Sequence, residues 1–207
     1  MSWYNRFSTR TYIFIAVAIF VIAAGSELLM GRVPICKCGY VLLWHSAVFS
    51  SENSQHLFDW YTLTHILHGF GFYFLIWIVD RKKKLSFSAR IILAVFLEAG
   101  WEVLENSAFI INRYRAVTIS LDYFGDSVIN SMGDIVAMAL GFFLASRLRV
   151  SISVVFVIVI ELFLAYFIGD NLTINLIMLI HPFDALRHWQ HLWQLKQGVL
   201  PPAFFTP

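Results

Sequence analysis

The sequence is poor in charged residues and in cysteine, and it has no cluster of basic residues interleaved with aromatic ones. Only 14% of its 207 residues are charged, and the net charge is +2. A soluble domain carries about 25% charged residues, so this shortage indicates a different class of protein. The small net charge and the missing basic groove argue against nucleic acid as a partner.

Cysteine is limited to Cys36 and Cys38, which stand one residue apart. Cysteines this close rarely reach unstrained disulfide geometry, so we expect no structural disulfide between them. The pair could bind a soft metal such as Cu(I), but two thiols alone supply too few ligands. A turn with partly buried thiols is the simpler interpretation.

Apolar residues are abundant, at 59% of the chain. Because a helix needs roughly 20 apolar residues to cross a bilayer core, five runs are predicted to be transmembrane helices. A sixth run, Leu172–Ile180, is too short and precedes His181-Pro182, so it predicts a half-helix or an interfacial segment. The five long runs are Tyr12–Met30, Trp60–Val79, Ile91–Ile111, Ser127–Ala145 and Ser151–Gly169.

These runs predict an all-α polytopic membrane bundle of about five transmembrane helices. We expect one integral membrane domain over residues 1–207, with an outer loop at 31–59 and an outer interfacial tail at 170–207. The first run resembles a signal peptide, since Arg6 and Arg10 precede it. Its apolar stretch continues to Met30, however, so we expect it to be retained as a helix.

The basic residues predict the orientation of the chain in the membrane. The strongest cluster, Arg81 to Lys84, follows the second run directly, and Arg6 and Arg10 precede the first. Because basic residues near helix ends favour the cytoplasmic side, the N-terminus is predicted to be cytoplasmic and the C-terminus outside.

Acidic and histidine side chains interrupt the apolar runs at one depth. Glu98, Glu102 and Glu105 are spaced i, i+4, i+7, which places them on one helix face. With a rise of about 1.5 Å per residue, Glu102 and Glu105 are predicted to lie at the same depth as polar residues on neighbouring helices, in the outer half of the bundle. An ionised acid at the bilayer centre costs about 2.5–3.5 kcal/mol, so we expect these groups to face a bundle interior. The neighbours at this level are His65, His68, Asp134 and Glu161, and Asp126 and Asn130 share a helix face with Asp134.

Histidines one turn apart that face carboxylates can bind a divalent metal ion, which is the cofactor that we predict. The sequence contains no HExxH motif and no Glu-x-x-His pair on a helix, so the spacing alone does not identify the metal. We predict metal ligation by His65, His68, Glu102 and Glu105, catalysis by Glu102, Glu105, Asp126 and Asp134, and substrate binding by Arg113, Arg115 and Asn130.

Three of these residues have simpler interpretations. Asp126 follows Gly125 at a helix start, where an N-cap role is expected. Arg113 and Arg115 can grip a phosphate or a lipid headgroup, or they can pair with Asp122 or Glu105.

Several strings in the sequence carry a family resemblance. They resemble an uncharacterised family of Gram-negative inner-membrane proteins, which implies a multi-pass protein of the cell inner membrane and brings no established reaction. The strings are Gly31–Gly39, Ser50–His56, Asp59–Tyr61, Trp101–Ser107, Arg113–Arg115, Leu121–Ser127 and Asp170–Thr173.

A looser similarity is to VanZ-like membrane proteins. It rests on the order in which one set of polar residues and a glycine follow one another along the chain. The residues are Asp59, His65, His68, Glu102, Glu105, Arg113, Asp126, Asn130 and Gly141.

Three functions remain open on the sequence. The first is a metal-dependent hydrolase or transferase that acts from the outer side on a membrane lipid or a lipid-linked substrate. The second is a non-catalytic envelope assembly factor, whose polar network only specifies helix packing. The third is a transporter, although the sequence shows no inverted repeat and the cytoplasmic halves of its helices are nearly free of polar groups.

Overall fold

The computed structural model describes residues 7–82, 84–118 and 123–198, which form eight α-helices and no strand. Four of the helices, the first, second, fifth and sixth, are long and apolar enough to cross a membrane. The prediction of an all-helical membrane bundle is therefore confirmed. The helices are α1 (Thr9–Leu29), α2 (Thr62–Val79), α3 (Phe87–Glu105), α4 (Ala108–Val117), α5 (Val128–Arg147), α6 (Val150–Ile168), α7 (Leu172–Ile180) and α8 (Asp184–Lys196).

The third apolar run differs from the expected single helix over Ile91–Ile111. Helix α3 ends at Glu105, and α4 begins at Ala108 with Ser107 as its N-cap. The break occurs because two polar side chains compete for backbone groups: Asn106 Nδ2 donates to Glu102 O at 3.1 Å, and Ser107 Oγ accepts from Ile110 N. With Arg90 and its glutamates, α3 is too charged to count among the four candidate spans.

Helices α2 and α5 form the centre of the bundle, and α1 and α6 lie at its periphery. In the apolar windows of α2 and α5, 39% and 56% of the residues are buried, against 11% in each of α1 and α6. Helix α3 packs between α1 and α5. The peripheral helices therefore present their apolar surfaces outward, where a bilayer would cover them.

Two glycines allow α2 and α5 to approach closely. A Cβ atom at Gly69 would collide with Met138 O and Phe142 N, and one at Gly141 would collide with Ile66 O. Small residues at such contacts are typical of packing between membrane helices. The contact lies beside fully buried Met138 and Phe142, so it fixes the distance between the two central helices.

The loop of residues 31–61 covers one end of the bundle, which we call the loop end. Ser127 N donates to Ser54 O, Val128 N to Val33 O and Ile129 N to Pro34 O, at 2.9–3.2 Å. The loop thereby satisfies amide groups that the start of α5 would otherwise leave unpaired. Helix α7 has the bounds predicted for the short sixth run.

One expectation about this loop is wrong. Cys36 and Cys38 form a disulfide, with their Cα atoms 5.1 Å apart. This separation lies in the range of roughly 4.4–6.8 Å that a disulfide can bridge. The turn closed by the hydrogen bond from Gly39 N to Cys36 O, 3.1 Å long, holds the two residues at this distance.

The opposite end of the bundle carries the polar contacts between α2 and α3. Asp80 Oδ2 accepts from Arg90 Nη2 at 2.7 Å, and its two oxygens also accept from Lys84 N and Leu85 N. Burial alone would raise the pKa of Asp80, but these hydrogen bonds outweigh burial and lower that pKa.

Predictions that rest on Arg6, Lys83 or Asp122 lie outside the described residues.

The close contact between α2 and α5 generates a stability prediction. We expect Gly69→Ala to lower the free energy of unfolding by about 1–3 kcal/mol, because the added methyl group meets backbone atoms that cannot move aside. Thermal unfolding of the detergent-solubilised protein, followed by circular dichroism, measures the effect. The matched control is Gly71→Ala on the same helix, where a Cβ meets nothing within 4 Å. Equal melting temperatures for the two variants would contradict the packing described.

Candidate functional site

A polar pocket lies at the loop end of the bundle, between α2, α3, α4, α5 and α7. Its cavity volume is about 50 Å³. Since one buried water needs about 10–15 Å³ on this measure, the cavity has room for a few waters or a small hydrated ion. Its walls are formed by Asn53, Ser54, Tyr61, Thr64, His65, His68, Trp101, Glu105, Tyr114, Tyr123, Asp126, Asp134, Leu172, Asn175 and Leu176.

The two histidines of α2 share one buried carboxylate. Glu98 Oε1 lies 2.6 Å from His65 Nδ1 and 3.0 Å from His68 Nδ1, and Glu98 itself is fully buried behind both rings. A carboxylate only accepts hydrogen bonds, so we assign the proton of each neutral ring to Nδ1. Both Nε2 atoms then keep a lone pair, which is the arrangement that histidine ligands of metal ions adopt when a carboxylate orients them.

Further carboxylates surround His65. Glu102 Oε1 lies 3.2 Å from His65 Nδ1, and Asp134 Oδ2 lies 3.8 Å from His65 Nε2. Both oxygens of Glu102, Asp134 Oδ1 and Glu105 Oε2 have no hydrogen-bond partner among the described residues. Because buried carboxylates without partners are costly, this side of the site favours the uptake of a cation or of protons.

The other side of the site is a completed hydrogen-bond network around Asn106. Asp126 N donates to Asn106 Oδ1 at 2.7 Å, Asn106 Nδ2 donates to Asp126 Oδ2 at 2.9 Å, and Tyr123 OH donates to Asp126 Oδ1 at 3.0 Å. Burial raises the pKa of Asp126, and it outweighs the hydrogen bonds from Asn106 and Tyr123, which lower that pKa. Asp126 is therefore held in place by Asn106, at the end of α3, and by Tyr123, three residues before it in the chain.

The N-cap interpretation of Asp126 is wrong. Ser127 is the N-cap of α5, and its hydroxyl oxygen accepts a hydrogen bond from Asn130 N at 3.4 Å. Ser127 Oγ also donates to Gln55 O at 3.0 Å, which ties the helix start to the loop. The hydroxyl takes the cap because the Asp126 carboxylate is turned towards Asn106 and Tyr123.

The structure brings together most of the residues predicted for the site, with different degrees of access. His65, His68, Glu105, Asp126 and Asp134 line the pocket. Glu102 lies behind the wall beside His65 and has no exposed surface.

The residues predicted to bind substrate lie elsewhere. Arg113 Nε donates to Leu179 O at 3.1 Å, and the Arg115 guanidinium lies 4.9 Å from the centroid of the Phe124 ring. Asn130 is 1% exposed, and its Nδ2 atom has no hydrogen-bond partner among the described residues. None of the three lines the described pocket, so their assignment to substrate binding stays a prediction.

Several residues of the site were missed by sequence reasoning. Glu98 was recognised as part of the acidic face, but its position between two histidines depends on how α2 and α3 pack. Asp59 is 1% exposed and accepts hydrogen bonds from Ser54 N and Tyr61 N, a role that its place before a helix could have indicated. Asn106 and Tyr123 carry no sequence signal of this kind.

Comparisons with known proteins place these residues within one family match. A family model described as "Protein of unknown function (DUF2585)" matches residues 27–192, which include every residue that lines the pocket. A UPF0314 protein of Rhizobium etli (strain CIAT 652) is 53% identical over 186 residues, which is 89% of this chain and 94% of that protein.

Two further relatives come from other bacteria. A UPF0314 protein of Paracoccus denitrificans is 52% identical over 83% of this chain and 88% of its own length, and one of Brucella anthropi is 47% identical over 85% and 88%. No solved structure matches the chain. The family match does not test the looser similarity to VanZ-like proteins, which stays a prediction.

The Asn106 network generates a second stability prediction. We expect Asn106→Ala to lower the free energy of unfolding by about 2–3 kcal/mol, because it removes one donor from the buried Asp126 carboxylate and leaves the Asp126 amide without its acceptor. Denaturant or thermal unfolding in detergent measures the loss. Asn112→Ala, at an exposed position on α4, is the matched control and should change stability little. A loss of the same size in both variants would show that the network contributes nothing specific.

Proposed function

The chain belongs to the family described as "Protein of unknown function (DUF2585)", and we propose that it is a metal-dependent hydrolase or transferase acting on a lipid or lipid-linked substrate. The observation that carries the proposal is the pair of histidines oriented by Glu98 beside carboxylates without partners. Two donor groups there, His65 with His68 and Glu98, and His65 with Glu102 and Glu105, each have ligand atoms within 4.8 Å of one another.

The charge of the site supports a bound cation. None of the described residues that line the pocket is Lys or Arg, whereas Glu105, Asp126 and Asp134 are acidic. A divalent ion held by His65, His68, Glu102 and Glu105 would offset this negative charge and supply partners for the carboxylate oxygens that lack hydrogen bonds. It would also attract an anionic substrate group, such as a phosphate, that the acidic wall alone would repel.

A divalent ion at this site would supply Lewis-acid activation of a water molecule as the nucleophile. Glu105 or Asp134, which line the pocket, would accept the proton that this water loses as it attacks the electrophilic carbon or phosphorus of the substrate. The same carboxylate would return the proton to the leaving oxygen as the bond to that oxygen breaks. In a transferase, an acceptor hydroxyl group would take the place of the water.

The proposed place of this reaction is the periplasmic side of the inner membrane. Arg81 and Arg147 lie at the end of the bundle opposite to the pocket, which supports a cytoplasmic location for that end. The disulfide in the loop-end segment supports an oxidising compartment on the pocket side. The pocket wall contributed by Leu172 and Leu176 of α7 is apolar and suits the chain of a lipid.

A second candidate function is a non-catalytic envelope assembly factor. The completed network of Asn106, Asp126 and Tyr123 favours it, because such a network specifies one packing of the helices without any reaction. This candidate does not account for the four carboxylate oxygens on the His65 side of the site that have no hydrogen-bond partner among the described residues.

Metal analysis distinguishes the two candidates. We expect the purified protein, after incubation with Zn²⁺ or Mn²⁺ and gel filtration, to retain about one or two ions per chain by elemental mass spectrometry. The double variant His65→Ala, Glu102→Ala should lose them, because it removes donors from both groups. The control is His181→Ala, which lies beyond α7 and away from the pocket.

Circular dichroism of all three proteins separates loss of the ion from loss of the fold. A wild-type protein that retains no ion, together with a double variant that unfolds at a lower temperature, would overturn the metalloenzyme and favour the assembly factor.

The proposed orientation is tested with reporter fusions. We expect alkaline phosphatase fused after Pro207 to be active and green fluorescent protein fused there to be dark, because the C-terminus is proposed to be periplasmic. The same reporters fused after Lys82 serve as the internal control and should give the opposite pattern. An active phosphatase after Lys82 would reverse the orientation and move the pocket to the cytoplasmic side.

A further inference from the structure

A second group of metal-binding side chains lies in the loop of residues 31–61, outside the pocket. We propose that Cys36, Cys38, Glu52 and His56 form a Zn²⁺ site that is assembled only when the Cys36–Cys38 disulfide is reduced. One donor atom from each of the four residues lies within 4.8 Å of the others. A reversal of the chain brings Glu52 and His56 to the cysteine pair. These two residues supply the ligands that the pair alone lacks.

The donor atoms are held in position by their neighbours. His56 is 1% exposed and Cys36 is 4% exposed, and His56 Nε2 lies 3.1 Å from Glu52 Oε2. Tyr40 donates its hydroxyl proton to the same Glu52 oxygen at 2.8 Å, and its ring stacks on the His56 ring with centroids 5.4 Å apart. Outer contacts of this kind orient metal ligands and hold them near the geometry that the ion requires.

The loop that carries the donors is itself fixed to the bundle. Val33 O and Pro34 O, three and two residues before Cys36, accept hydrogen bonds from the first amides of α5. On the other side of the reversal, Ser54 O accepts from Ser127 N. The two halves of the proposed site are thus attached to the same helix start, which keeps them together after the disulfide is broken.

The donor set matches Zn²⁺ better than Cu⁺. Two thiolates, one imidazole and one carboxylate supply the four ligands of a tetrahedral Zn²⁺ site. Cu⁺ prefers the soft thiolates and gains little from the Glu52 carboxylate. A dependence of binding on Glu52 therefore distinguishes the two ions.

Ligation by His56 requires a small local change. His56 Nδ1 accepts a hydrogen bond from Leu42 N at 3.2 Å, so the ring proton lies on Nε2 and points at Glu52. A metal bond at Nε2 moves that proton to Nδ1, and the Leu42 amide then has to turn away. A metal bond at Nδ1 keeps the contact with Glu52 but also displaces the amide. Assembly of the site therefore includes a shift of the backbone near Leu42.

The redox step is an exchange with a dithiol reductant. The sulfur–sulfur bond between Cys36 and Cys38 breaks, each sulfur gains one hydrogen, and the two thiols of the reductant form a disulfide in turn. Zn²⁺ then displaces the two thiol protons and binds the thiolates. In the oxidised protein the sulfurs are bonded to each other, and the four-ligand site does not exist.

The test uses the full chain in detergent, with the pocket emptied by the His65→Ala, Glu102→Ala substitutions so that the two proposed metal sites are measured separately. We expect about one Zn²⁺ per chain after reduction by a phosphine reductant, and none in the oxidised protein, by elemental mass spectrometry after gel filtration. Co²⁺ in place of Zn²⁺ should give thiolate charge-transfer absorption in the reduced protein alone.

Matched variants identify the ligands. Cys36→Ser with Cys38→Ser should abolish binding, and Glu52→Gln should weaken it at least tenfold. His45→Gln is the control, because the ring of His45 lies 4.9 Å from that of His56 but is not part of the donor group. If the serine variant fails to fold, the protein with its native cysteines is measured instead, after reduction and alkylation of both thiols.

Three results would overturn the proposal: no Zn²⁺ in the reduced protein, Zn²⁺ retained after the cysteines are replaced or blocked, or binding of Cu⁺ alone with no effect of Glu52→Gln. Each leaves the proposed function of the pocket standing, since two of the pocket donors, His65 and Glu102, are removed in this experiment. Loss of Zn²⁺ from the pocket in the earlier experiment would likewise leave the loop site standing.

Discussion

The arrangement of the helices depends on the burial of the carboxylates of α3. Glu98 and Glu102 have no exposed surface, and an ionised acid in such surroundings needs a partner of opposite charge or a set of hydrogen-bond donors. Helix α3 therefore cannot face lipid along its acidic side, and it packs between α1 and α5 with that side towards α2. Glu98 completes the arrangement by binding both histidines of α2.

The second constraint is the close approach of α2 and α5. Gly69 and Gly141 set the separation of these helices, and the site lies about one helical turn from this contact, towards the loop end. His65 precedes Gly69 by four residues on α2, and Asp134 precedes Met138 by four on α5. The separation of His65 Nε2 and Asp134 Oδ2, 3.8 Å, thus follows from backbone packing in the apolar half of the bundle.

Much of the fold was predictable, because apolar runs and polar spacing are local features of the chain. The bounds of α7 and the shared face of Glu98 and Glu102 followed from the sequence. The break at Asn106 did not, since two polar residues within a long apolar run leave its average hydrophobicity almost unchanged. The disulfide depends on the local turn from Cys36 to Gly39, whose conformation the spacing of the two cysteines does not reveal. The approach of His56 to the cysteine pair depends on the path of a long loop, which no local pattern encodes.

The two sides of the pocket argue for different kinds of role. Around Asn106 every carboxylate oxygen of Asp126 has a donor, and a network satisfied in this way stabilises one packing. Around His65 some buried carboxylate oxygens have no hydrogen-bond donor among the described residues: both oxygens of Glu102 and one oxygen of Asp134. A chain selected for stability alone would gain by replacing such groups with apolar ones of similar size. Buried polar groups that lack partners are typical of functional sites. We therefore expect a ligand on the His65 side, with the Asn106 side as the scaffold that holds it.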